Sequence, residues 1–173
     1  MDMLAETEYV TRLDALMPLI RERLEAGQTV RFSPMGISML PMLRQGKDSV
    51  VLSPVPEKLK KYDLPLYRRP DGQYVLHRIA EVGDTYTCIG DNQHELEHGI
   101  RRDQILARVT AVRRKGKLLK QGSFWWDFFE NVWIRMVPLR PAAKAVYSCF
   151  FIFSNIFWII RPYFPQQIKV FFD

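Results

Sequence analysis

Between residues 28 and 118 the chain is a series of short apolar-rich runs separated by turn residues, and this pattern excludes a helical fold for its middle. Residues 30–32, 49–53, 64–68, 74–81, 85–90 and 105–114 are rich in Val, Ile, Leu and Tyr, which suit a pleated, half-buried surface. Pro70-Asp71-Gly72-Gln73 separates two of the runs. Proline presets φ and glycine accepts φ > 0, so this segment turns. Gly83-Asp84 closes another pair. Short strands at such spacing predict a mainly β fold, a small coiled antiparallel barrel.

The flanks differ. In residues 6–26, Val10, Leu13, Met17, Ile20 and Leu24 recur at three- and four-residue spacing, which predicts a helix with one apolar face. Thr7 is placed to cap its start and Gly27 to end it, while Pro18 predicts a kink or break. From Phe124 onward the chain is dense in aromatic residues. Trp125, Phe128, Phe129, Val132, Trp133 and Met136 form a helical stripe opposite Asp127, Glu130, Asn131 and Arg135. Such a stripe either packs on its own domain or lies in a membrane interface.

Residues 145–160 then run without a charge. As a helix they would be about 24 Å long, against a hydrocarbon core of about 30 Å. Lys144 and Arg161 at the two ends can extend the reach. A span or re-entrant segment, an interfacial hairpin and a partner-binding soluble helix are all compatible. The expected organisation is an N-terminal helix (1–27), a catalytic β domain (28–120) and a membrane-associating helical tail (121–173). The lipid partner is assigned to residues 124–164, and a chain ending near Gly122 is expected to stay soluble.

The net charge of +6 and a pI near 9.4 do not by themselves choose a partner. Position does: Arg113, Arg114, Lys115, Lys117 and Lys120 directly precede the aromatic tail, favouring lipid headgroups over nucleic acid. The same run predicts a cytoplasmic location for the preceding residues under the positive-inside rule. The N-terminus has neither a basic nor an apolar leader segment, so no signal peptide is expected. Cys88 and Cys149 form no disulfide framework and no CxxC pair.

The chemistry-bearing residues fall in order along the β region. Ser38 stands in Gly36-Ile37-Ser38-Met39-Leu40-Pro41. Thirty-nine residues later comes His77 in Val75-Leu76-His77-Arg78-Ile79, followed by Gly90-Asp91-Asn92. A serine hydroxyl becomes a nucleophile when a base takes its proton and a third group orients that base. Strand alternation puts His77 with Val75 and Ile79, neighbours that favour the neutral imidazole. Gly36 lets the backbone turn before Ser38 and aim an N–H at a developing oxyanion. Taken singly, a turn serine, a core histidine and a turn aspartate are commonplace; their order carries the reading. His94 and His98 share helical spacing but lack further ligands, so no metal is expected. Lys60 and Lys61 lie in a polar loop and are set aside as bases.

These three boxes, over residues 30–114, resemble type I signal peptidases and the related LexA-type self-cleaving repressors. Most bacterial members carry lysine as the base. Leu76-His77-Arg78-Ile79 resembles the histidine version of archaeal and endoplasmic-reticulum members. The resemblance implies the small antiparallel barrel and a serine endopeptidase that cleaves a signal, leader or precursor peptide without a cofactor. It implies Ser38 as nucleophile, His77 as base, and Met39 and Pro41 at the substrate. Either Asp91 or Glu97, a glutamate where the family has aspartate, would be the third member. Gly36 stands where many signal peptidases have an oxyanion-donating serine, so the backbone N–H groups of Gly36 and Ser38 would serve. A membrane-tethered regulatory or self-cleaving module of the same fold is the alternative.

Overall fold

The computed structural model describes the backbone of residues 2–135 and 170–172, and side chains from Leu13 to Arg135. Helix α1 (Asp2–Glu25) starts earlier than Thr7 and runs through Pro18 without interruption. Pro18 is on the exposed face. Leu13, Met17, Ile20 and Leu24 form the buried stripe, as their spacing predicts. Gly27, at φ +76°, ends the helix: its N–H and that of Gln28 reach back to the carbonyls of Leu24 and Arg23.

Among the described residues ten strands follow in order: β1 (Val30–Phe32), β2 (Ser49–Ser53), β3 (Leu64–Arg68), β4 (Tyr74–Leu76), β5 (Arg78–Val82), β6 (Tyr86–Ile89), β7 (Glu97–Ile100), β8 (Ile105–Arg114), β9 (Lys117–Lys120) and β10 (Val170–Phe172). Among the described residues all pairings are antiparallel. The larger sheet has the order β10-β1-β2-β8-β3-β4, with β9 also on β8; β5-β6-β7 form the smaller one. β8 is the spine. Its inward Ile105, Ala107, Val109, Ala111 and Val112 alternate with half-buried residues until a bulge shifts the phase.

The run expected as one strand over 74–81 is broken at His77. β4 belongs to the larger sheet and β5 to the smaller. Among the described residues neither sheet closes on itself, and no closed barrel is present there. The sheets are nevertheless stitched together: the Tyr62 N–H donates to the Ile79 carbonyl and the Ile79 N–H to the Asp63 carbonyl.

Two apolar clusters result. One gathers α1, β1, β2, β3 and β8 with Met39, Met42 and Leu43. The other gathers Leu59, Tyr67, Val75, Ile79, Cys88, Ile100 and Ile105. Leu76 packs in the first and Val75 in the second, so His77 stands where they meet.

The start of the tail is part of the first cluster. Helix α2 (Phe124–Asn131) buries Trp126 and Phe129. The expected stripe is thus divided: Phe129 is buried and Phe128 and Trp133 are half-buried, while Trp125 and Val132 are exposed; Trp126, outside that stripe, faces inward, and Met136 lies outside the described residues. A chain ending near Gly122 would lose two core aromatics. Trp126→Ala is expected to cost about 3–5 kcal/mol in urea unfolding, and a cost below about 1 kcal/mol would contradict this packing. Among the described residues no helix is long and apolar enough to cross a membrane. Residues 145–160 lie outside the described residues.

Candidate active site

Ser38 sits in a loop anchored from beneath. Met39, Met42 and Leu43 are buried, and Asp48 accepts from the Arg44 backbone N–H and, bidentately, from its guanidinium at 2.7–2.9 Å. Gly36 adopts φ +93°, a region glycine enters without strain. Its N–H is taken by Gln45 Oε1 at 3.2 Å. Ser38 has no hydrogen bond from its own N–H or hydroxyl among the described residues. Pro41 is exposed, its carbonyl accepting from Arg114.

Ser38 and His77 line one cleft of about 200 Å³, together with Met39, Leu43, Tyr74 and Gln93. Pro41 is not among the residues lining it. Among the described residues no hydrogen bond joins the serine hydroxyl to the imidazole. His77 is buried, and its Nδ1 is 3.2 Å from the Tyr67 hydroxyl and 3.6 Å from Glu97 Oε2. Tyr67 donates to Glu97 Oε2 at 2.7 Å. Arg69 grips the same carboxylate with two bonds of 2.6 and 2.7 Å. β3 delivers Tyr67 and the chain just beyond it delivers Arg69; β7 delivers Glu97 across the corner between the sheets.

Burial pushes the Glu97 carboxyl up, but the hydrogen bonds from Arg69 and Tyr67, with the His77 ring close by, outweigh it. They hold the group well below the usual carboxylate range. Burial, and then the bond to Glu97, pushes the Tyr67 phenol far above its ordinary value. Glu97 therefore stabilises the fold fully above its ordinary value of 4.5, and this contribution is lost as pH falls below it. The urea stability of wild type minus Glu97→Gln is expected to be flat above pH ~5 and to shrink from there towards pH ~3. A difference independent of pH would contradict the assigned contacts.

The structure divides the two acids. Asp91 is buried against Arg78, accepting two bonds of 2.9 Å; both side chains are fully buried. Arg78 also donates to the Tyr62 carbonyl and to Met42 Sδ in the serine loop. Asp91 is thus engaged with the residue beside His77, and the carboxylate near the imidazole is Glu97. The Asp91 box has a further structural task. The Asn92 N–H donates to the Ser38 carbonyl at 2.7 Å, and its side chain donates to the Ile37 carbonyl at 3.1 Å. Trp133 Nε1 donates to the Asp91 carbonyl at 2.7 Å, which ties the tail to this loop.

Gly90 makes the approach possible. A Cβ there would stand 2.7 Å from the Ser38 carbonyl oxygen and 2.7 Å from Gln93 Oε1. Gly90→Ala is expected to displace the serine loop, costing about 1–3 kcal/mol in urea unfolding and slowing any reaction at Ser38. Unchanged stability and reactivity would contradict the close approach.

Sequence reasoning misses Tyr67 and Arg69, although i, i+2 spacing along extended chain places them on one side. A second hollow of about 390 Å³ shares Arg69 and Gln93 with the cleft and runs along Asn92 to Glu97. His94 is exposed, and His98 Nδ1 bonds Thr87 Oγ1 at 3.1 Å. Among the described residues no group of side chains is arranged to hold a metal ion. No protein-family model, no curated protein and no solved structure matches the chain.

Proposed function

We propose that this chain is a serine endopeptidase of the signal-peptidase-like class, acting on an extended signal, leader or precursor peptide. One observation carries the reading: Ser38 and His77 line one cleft, with the imidazole held at Nδ1 by the Tyr67–Glu97 pair. Nε2 is then left as the proton acceptor. Ser38 Oγ attacks the scissile carbonyl while His77 Nε2 takes its proton and passes it to the departing amine. Water then attacks the acyl ester, with His77 again taking the proton. The Ser38 N–H is the oxyanion donor, since the Gly36 N–H is committed to Gln45. β4 ends one residue before His77 at the edge of its sheet, where an extended peptide can add as a strand. The two stitched sheets support reading this fold as an open form of the coiled signal-peptidase-type barrel.

The membrane partner is part of the same proposal. Phe124, Trp125, Val132 and Leu118 are exposed beside the exposed basic residues Arg113, Lys115, Lys117 and Lys120. Exposed aromatic groups following exposed basic ones in sequence suit an anionic interface on the cytoplasmic face.

A second reading, a non-turnover regulatory module, draws on the missing Ser38–His77 hydrogen bond. Such bonds often tighten only once substrate is present. A fluorophosphonate probe decides between them: wild type is expected to label at one serine and Ser38→Ala not at all. Equal labelling of both proteins, or of neither, sinks the enzyme reading.

A further inference from the structure

We infer that Tyr67 is the positioning residue of His77, and that Glu97 acts on the imidazole through the Tyr67 phenol rather than by direct contact. The inference rests on the reading of His77 as base. Three distances carry it. Tyr67 OH is 2.7 Å from Glu97 Oε2 and 3.2 Å from His77 Nδ1, whereas Nδ1 to Oε2 is 3.6 Å, beyond an ordinary hydrogen bond. The phenol ring meets the imidazole edge-on at 67°.

Proton placement follows from the partners. A phenol has one proton to give. Glu97 is the stronger acceptor, kept ionised by the two-pronged grip of Arg69. The Tyr67 proton therefore points to Glu97, and the phenol oxygen faces Nδ1 as an acceptor. Nδ1 must then carry the imidazole proton, which leaves the Nε2 lone pair for the Ser38 hydroxyl. Without the carboxylate, the phenol proton would turn to Nδ1 and the neutral ring would keep its proton on Nε2, the wrong atom for a base. Arg69 and Glu97 thus set the polarity of a chain of bonds, and Tyr67 transmits it. Tyr67 is fully buried, so this link is shielded from water.

The test reads the tautomer directly, by nitrogen NMR of histidine-labelled full-length protein in the Ser38→Ala background, where cleavage plays no part. The neutral His77 ring is expected to carry its proton at Nδ1. Glu97→Gln is expected to move a large share of it to Nε2. Tyr67→Phe, which keeps the ring and its packing, is expected to mix the two tautomers. With Ser38 restored, Tyr67→Phe should lower kcat about 10²-fold with little change in KM. A Nδ1 tautomer undisturbed in both folded variants overturns the inference, because Glu97 would then hold His77 directly or not at all. If tautomers shift as expected but wild type fails to label with the serine probe, the relay stands and the peptidase reading falls.

Discussion

On the proposed peptidase reading, replacing Ser38 by alanine is expected to reduce kcat/KM on an extended leader or precursor peptide by a factor on the order of 10⁴ or more. His77→Ala is expected to lose as much, and the double variant no more than either single one. A proposed nucleophile and base of this kind would act as one unit, so once either is gone the other would have nothing to do. What remains would come from the Ser38 N–H and from peptide binding along β4. The fold should be unaffected by the serine change, which removes one hydroxyl that bonds nothing among the described residues. Turnover within tenfold of wild type in purified Ser38→Ala would remove the nucleophile assignment. An additive loss in the double variant would mean that the two residues act separately.

The second large effect is on stability. Arg78 and Asp91 are both fully buried and joined by two bonds. Removing one partner leaves an uncompensated charge in the interior, at a cost of about 3–5 kcal/mol. For a chain of 173 residues that corresponds to a fall in Tm of roughly 6–20 °C. Asp91→Asn and Arg78→Met are each expected to show it in thermal unfolding. The double variant Arg78→Met/Asp91→Leu should recover much of the loss, since it removes both charges and fills the space. Loss of activity in Asp91→Asn would then track unfolding, whereas Glu97→Gln should lose rate while remaining folded. A well-folded, inactive Asp91→Asn would return the orienting role to Asp91.

The two carboxylates show how far sequence reasoning reaches. Gly-Asp-Asn after a histidine strand makes Asp91 the natural third member, because a single straight strand over 74–81 would keep Arg78 on the face opposite His77. The strand ends at Leu76 instead, and the chain re-enters the other sheet at Arg78. That corner turns Arg78 fully inward, where only a carboxylate can compensate it, and Asp91 is the one that arrives. Glu97 reaches His77 because β7 pairs with β6 in the smaller sheet. β7 went unpredicted since Glu97-His98-Gly99-Ile100 is polar and exposed along most of its length. β9 shares that defect, with lysines at both ends.

Features that depend on neighbours in sequence are legible in the chain. Apolar periodicity defined α1, its buried stripe and a helix in the early tail, and runs rich in Val, Ile, Leu and Tyr defined strands β1, β2, β3 and β8. Residue order put a serine, a histidine and candidate acids in a row. Only tertiary structure decided how these met: the corner at His77, the commitment of Asp91 to Arg78, the Tyr67 bridge to Glu97 and the burial of Trp126 rather than Trp125. The physical reason is range. Periodicity is written in side chains a few residues apart. A hydrogen bond between residues 30 apart, such as Tyr67 to Glu97, exists only once two sheets have packed and fixed which faces look at each other.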